Sequence, residues 1–337
     1  MKTLVISDLH LGNRAHHDVL RLPQVRDRLL NALDGVQRLV LLGDTMELMH
    51  RQPRRSMAAA EPVLRAIGRR LGPDGEVIVV PGNHDSPLVR RWAVAQGPRL
   101  RTCHDVDPSA SPALARLLAW LAPARTRASY PGVWLGERTW ATHGHYLDQH
   151  LLPESVFGVL RPGRRGASTS ATPVDYEHVH RRVRRSRESL AEKLMARPVA
   201  TVLEASAELV RRAAMPYVPK LMMDRGMAPV TARLLDTQMR RAAVPALARV
   251  MRRLGIEADF VLFGHVHRRG PIGDEPWPAS TGTRFLNTGA WLYEPLLIDR
   301  ARAPHPYWPG GAVLLDDGAA PRSVGLLDEL SAAQLQG

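Results

Sequence analysis

The chain has 337 residues, 45% hydrophobic and 23% charged, enough to bury a sizeable core as one large domain or as a domain with an insertion. Its one cysteine, Cys103, excludes an intramolecular disulfide, and no uninterrupted apolar run approaches the roughly 20 residues of a membrane span. The net charge of +13 points to anionic partners without choosing among phosphorylated metabolites, nucleic acid and acidic lipid headgroups.

The opening MKTLVISDLHLG breaks into Ser7-Asp8 too early for a signal-peptide core, so a cytoplasmic protein is expected. TLVI (3–6) reads as a buried strand and PQVRDRLLNAL (23–33) as an amphipathic helix with Pro at its start. RLVLL (38–42) is a strand, 57–71 a helix and EVIVV (76–80) a strand. SPLVRRWAVAQ (86–96) is a helix with Ser86 as N-cap and Pro87 at its first position. This alternation predicts βαβ units and a largely parallel sheet. A helical patch follows near 112–121, and GVWLGERTWATHGH (132–145) reads as two short strands joined at Gly136-Glu137.

Residues 151–258 are of a different kind. They begin with the Gly/Ser/Arg-rich RPGRRGASTSATP (161–173) and continue with three apolar helical stripes. The first runs from Val179 to Leu194 with Arg181, Arg182, Arg184, Arg185 and Arg187 around it, the second from Val199 to Ala213, the third from Val244 to Leu254. This segment holds 20 Lys and Arg against 10 Asp and Glu, so it carries most of the excess charge, and seven of the eleven Met. Strand patterns return at DFVLFGHVH (259–267), RFLNTGAW (284–291) and a hairpin over 312–327.

Five short patterns carry the chemistry: SDLHLG with Asp8 and His10, LLGDTMEL with Asp44 and Glu47, PGNHD with Asn83, His84 and Asp85, ATHGHYLD with His143 and His145, and LFGHVHRRG with His265 and His267. Each piece alone is an ordinary turn or a solvated polar residue. Together they follow strand-like runs and expose His, Asp or Asn at one sheet edge, where open α/β sheets place ligands. Imidazoles and carboxylates in that number suit two divalent transition metals sharing a carboxylate, the clamp used for in-line displacement at phosphorus.

This ordered set resembles the calcineurin-like metallophosphoesterase family, over residues 1–150 and 259–337 as a core, with 151–258 as a helical insertion acting as cap, lid or interaction element. The resemblance implies two mixed β-sheets flanked by helices, a four-layer αββα sandwich. It makes Asp8, His10 and His267 ligands of one metal, Asn83, His143 and His265 ligands of the other, and Asp44 the bridge. The ions would be Mn²⁺ first, with Fe or Zn²⁺ as alternatives. A bridging hydroxide would attack phosphorus, and His84 would assist the leaving group. Its orienting acid would be Glu47, where the family more often has Asp, or Asp85, for which a turn or helix-start role is favoured. Asn287 and Gly289 resemble a structural turn of the family. His145, Asn13 and Arg14 are candidates for substrate contact, whereas His16, His17, His150, His178 and His180 are read as surface or supporting residues.

The expected activity is phosphoester hydrolysis, diester over monoester. The placement of the insertion is similar to that of UDP-2,3-diacylglucosamine pyrophosphohydrolases, although those resemble G-N-R-D where this chain has G-N-H-D. A lipid-linked pyrophosphate at the inner membrane face, a nucleic acid held by the arginines, and a non-catalytic metal-stabilised scaffold stay open as alternatives, as does a homodimer.

Overall fold

A computed structural model describes residues 1–13, 17–49, 53–150, 170–178, 228–276, 278–280, 282–299 and 301–336. The strands are β1 (Thr3–Ile6), β2 (Arg38–Leu42), β3 (Glu76–Val80), β4 (His104–Val106), β5 (Arg125–Tyr130), β6 (Gly132–Trp134), β7 (Thr139–Thr142), β8 (Phe260–Phe263), β9 (Arg269–Gly270), β10 (Ala279–Ser280), β11 (Thr283–Thr288), β12 (Gly311–Leu315) and β13 (Arg322–Gly325). The longer helices are α1 (Pro23–Ala32), α2 (Pro53–Leu71), α3 (Arg90–Gln96), α4 (Pro112–Trp120) and α5 (Ala228–Leu254).

Two mixed sheets result. The seven-stranded sheet runs β13-β12-β1-β2-β3-β5-β4, and the six-stranded sheet runs β10-β11-β8-β7-β6 with β9 on β11. β1, β2, β3 and β5 are mutually parallel, as are β7, β8 and β11, while the outer strands pair antiparallel.

The period-2 geometry of the strands builds the layers. Val5, Val40, Leu42, Ile78 and Val80 face Ala141, Leu262 and Leu286 across the gap between the sheets. The alternate residues Leu4, Ile6, Leu39, Leu41, Val77 and Val79 pack instead with residues of α1, α2 and α4. Strands buried on both faces read as continuous apolar runs, which is why β1 to β3 are conspicuous in the sequence. On the far side, Trp140, Val261, Phe263 and Phe285 meet Ala243, Leu247, Val250 and Met251 of α5. Each such fully buried aliphatic side chain contributes about 1.5–3 kcal/mol of burial.

Three features depart from the sequence reading. β5, whose RTRASY has no apolar run, is held by its neighbours: Glu76 on β3 accepts from Arg38 at 2.6 Å and Arg127 at 3.0 Å across three strands. Ser86 caps nothing; a short 3-10 turn, Ser86–Leu88, precedes α3, because Asp85 and Val89 take the cap positions. The stretch 170–178 and the C-terminal half of α5, grouped with the insertion from sequence, pack on the second sheet as its outer layer. The Arg-rich run 181–187 and the stripes at 179–194 and 199–213 lie outside the described residues. Among those described, no helix is long and apolar enough to cross a membrane.

Candidate metal centre

The C-terminal ends of β1, β2, β3, β7 and β8 converge on one cleft. Backbone bonds lace the loops together: His10 N–H to the Asp44 carbonyl at 2.8 Å, Leu48 N–H to the His84 carbonyl at 3.1 Å, and Gly264 N–H to the His143 carbonyl at 3.0 Å. Glycines permit the close approach. A Cβ on Gly43, itself at φ +88°, would strike the His143 ring, and one on Gly264 would strike Ser7 and Asp8.

Five non-glycine residues among those described have positive φ: Asp8 at 54°, His10 at 45°, Asp44 at 50°, His265 at 68° and His267 at 56°. All five are residues singled out from the motifs. Such backbone costs on the order of 1 kcal/mol or more per residue and concentrates where side chains must point at a common target.

Each carboxylate is held by one oxygen and presents the other. Asp8 Oδ2 accepts from Ser7 Oγ and from the His265 backbone N–H at 3.0 Å, leaving Oδ1 3.2 Å from His267 Nε2 and 3.8 Å from His10 Nε2. Asp44 Oδ1 accepts from the His84 backbone N–H at 2.8 Å, and its Oδ2 lies 3.2 Å from His143 Nε2 and 3.8 Å from His10 Nε2.

The imidazoles are oriented the same way. Glu47, buried, meets His84 Nδ1 at 2.8 Å and His10 Nδ1 at 3.3 Å, so both Nδ1 atoms direct a proton at the carboxylate and each Nε2 is turned toward the cleft. His143 Nδ1 donates to the Leu42 carbonyl at 3.1 Å, which turns its Nε2 to Asn83 Oδ1 at 3.0 Å. His10 and His267 bring their Nε2 atoms within 3.3 Å.

Electrostatics divide the cluster into two signs. Burial alone would raise the carboxyls, but neighbouring imidazoles overcome it: Asp8 falls to about 2 beside His143 and His267, Glu47 to about 2 beside His10 and His84, and Asp44 well below the usual range. Burial likewise opposes charge on His84, His143 and His267, yet the carboxylates raise all three, His143 to about 10. Protons here occupy the lone pairs that a divalent cation would take. Two donor groups fit one: Asp8, His10 and His267, and Asp44, His143 and His265, the donor atoms in each within 4.8 Å of one another. Asp44 also groups with His10 and His84 at that distance, so it touches both sides.

The structure thus gathers Asp8, His10, Asp44, Glu47, Asn83, His84, His143, His265 and His267 in one cleft. His145 stands beside His143, ring centroids 5.6 Å apart. Asn13 sits on the loop after His10, its backbone N–H on the His10 carbonyl at 3.0 Å. Arg14, His16 and His180 lie outside the described residues. Asp85 requires a correction. Its carboxylate turns from His84 to the backbone N–H groups of Thr45 at 2.8 Å and Gly82 at 2.5 Å, tying two loops together, and burial with the Asp44 charge pushes it up to about 7. Glu47 is the carboxylate on His84.

Asn287 donates to the Gly264 carbonyl at 2.7 Å and accepts from Gly289 N–H, a turn that supports the β8 loop. Asp148, 2.7 Å from His265 Nε2, escaped the sequence reading. Its only signal is an acid three residues beyond His145.

A model of the calcineurin-like phosphoesterase family matches residues 1–197, which takes in four of the five motifs and ends before His265 and His267. No curated protein matches the sequence. Among solved structures, the phosphoesterase Yfce from E. coli is similar at 14% identity and a TM-score of 0.33, over 97% of this chain and 100% of that one. A cold-active protein-tyrosine phosphatase from the psychrophile Shewanella sp. is similar at 11% identity and a TM-score of 0.31, over 96% and 80%. More than half of the chain carries the family pattern, and the chain belongs to the calcineurin-like phosphoesterases, metal-dependent hydrolases of phosphoesters.

Proposed function

We propose that the cleft hydrolyses a phosphodiester with two divalent cations, one held by Asp8, His10 and His267, the other by Asn83, His143 and His265, with Asp44 reaching both. The observation that carries this reading is Asp44 Oδ2, which faces His143 at 3.2 Å and His10 at 3.8 Å from a single buried atom. Imidazole nitrogens, carboxylate oxygens and one amide oxygen suit Mn²⁺, and Fe or Zn²⁺ take the same donors. When bound, such ions supply an activated water and neutralise charge on the phosphoryl group.

The protein's own groups do the rest. Glu47 holds the proton on His84 Nδ1 and stabilises the ring's positive charge, so Nε2 is the nitrogen that gives a proton to the leaving oxygen. About a third of the His84 side chain is exposed, at the mouth of an otherwise buried set. Asp85 keeps the Asp44 and Asn83 loops in register without entering the reaction. The arginines that follow His267 do not clamp phosphate: Arg268 is committed to Asp236 and Glu275, and Arg269 to Asp328. With these two arginines committed elsewhere, the proposed substrate is the diester, whose singly charged phosphoryl needs less cationic clamping than a dianionic monoester.

Mn²⁺-loaded protein assayed on an aryl phosphodiester and on the matching monoester tests this. Faster diester turnover that chelation abolishes is the expected result; a monoester preference overturns the diester assignment, and no turnover on either with both cations bound overturns the hydrolytic reading of the cleft.

A further inference from the structure

Beside the cleft, buried titratable groups join the loop after β7 to the helical turn at 173–178. Tyr130 at the end of β5, Tyr146 in that loop and Glu177 in the turn are all buried. Both phenols give their hydroxyls to Glu177 Oε1, Tyr146 at 2.7 Å and Tyr130 in a short contact. The Tyr130 oxygen lies 3.4 Å from His145 Nε2, the two rings inclined by only 28°.

The proton count sets the direction of this chain. A carboxylate accepts and does not donate, so both phenols donate to Glu177. A phenol has a single proton. Tyr130, having given its own to Glu177, can only accept from His145, so Nε2 must carry the imidazole proton.

We propose that Glu177 is a positioning residue that acts through Tyr130 to hold His145 as its Nε2–H tautomer, leaving Nδ1 unprotonated. In that form Nδ1 accepts a hydrogen bond or binds a cation and donates to no phosphoryl oxygen. His145 then changes from the substrate-anion contact expected from the sequence to an acceptor beside His143. The consequence for catalysis rests on the metal-centre reading, but the tautomer does not, so the two can fail separately.

The test uses the full chain labelled with ¹⁵N at histidine and stripped of metal, with spectra followed upward in pH until the His145 signals are those of a neutral ring. Long-range ¹H–¹⁵N correlation reads both ring nitrogens, and His145→Gln identifies the signals by their loss. The expected pattern has His145 Nε2 protonated and Nδ1 unprotonated. In Glu177→Gln the amide can donate to the Tyr130 oxygen, Tyr130 turns its proton to His145, and the pattern reverses. Tyr130→Phe, which removes one hydroxyl and guards against misfolding of the Glu177 variant, loses the preference and mixes the tautomers. Tyr146→Phe keeps the relay and the wild-type pattern. A wild-type His145 protonated at Nδ1, or a pattern that Tyr130→Phe leaves unmoved, overturns the proposal. The expected tautomer in a protein that hydrolyses nothing would count against the phosphoesterase reading alone.

Discussion

The two walls of the cleft fix their imidazoles by different means. On the wall after β1 to β3, a single carboxylate, Glu47, orients both His10 and His84, each 37 residues away on a neighbouring loop. On the wall after β7 and β8, each imidazole has its own anchor. The Leu42 carbonyl holds His143, Asp148 meets His265, and Tyr130 with Glu177 holds His145. A shared anchor couples the imidazoles it holds, so a change at Glu47 moves two at once. Separate anchors leave each imidazole of the second wall to be moved alone.

Asp44 spans this division, and its replacement gives the largest effect. Asp44→Asn keeps the size and the acceptor for the His84 backbone N–H, but removes the charge that faces both walls. Metal analysis after gel filtration is expected to find neither cation retained, with diester turnover at background. Retention of one cation would show that the walls assemble independently. His84→Ala should keep both cations and lose about 10²–10⁴-fold in turnover, the range of a general acid; undiminished turnover would remove His84 from the reaction. Glu47→Gln weakens the orientation of His10 and His84 together and should cost about 10–100-fold, as supporting groups around a metal do. An effect on metal affinity alone would assign Glu47 to His10 rather than to His84.

Much of this was readable before folding because the residues that define the cleft follow strands buried on both faces. The apolar runs 3–6, 38–42 and 76–80 mark their own ends, and the polar residues after them point to one edge. β5 was not readable, since its Arg-Thr-Arg start is stabilised by Glu76 on the neighbouring strand rather than by apolar burial. Nor was the positive φ of Asp8, His10, Asp44, His265 and His267, because no L-residue announces a left-handed backbone. Asp148 and Glu177 were missed for a related reason: their partners His265 and Tyr130 stand 117 and 47 residues away. Gly264 records the contact between the walls from the backbone side. Gly264→Ala forces a methyl against Ser7 and Asp8 and should lower stability by about 1–3 kcal/mol, read from denaturant midpoints of metal-stripped protein. An unchanged midpoint would mean that the walls approach less closely than the fold requires.

Acid should separate the walls with the smallest effect of the set. His150 accepts from the Tyr176 hydroxyl at 3.0 Å, tying the loop after β7 to the 173–178 turn. Burial, followed by the charges of Arg253 and Arg249, lowers its pKa from 6.5 to about 4. The folded value lies below the unfolded one, so as pH falls from about 6.5 the unfolded chain takes up this proton first. The stability held above that range drains away down to about pH 4 and is constant below it. Glu47 behaves differently: with a folded value of about 2 against 4.5 unfolded, its contribution stays whole down to about pH 4.5. Asp85, raised to about 7, takes up its proton in the folded chain first, so between 6.5 and 4.5 the second wall loses stability while the first does not. With solvent reaching part of the His150 ring, the loss should be about 1 kcal/mol. His150→Gln keeps an acceptor for Tyr176 but cannot titrate, so its unfolding midpoint should fall less than that of the wild type between pH 7 and 4.5. Parallel curves for the two proteins would place the acid sensitivity of the fold elsewhere than in this tie.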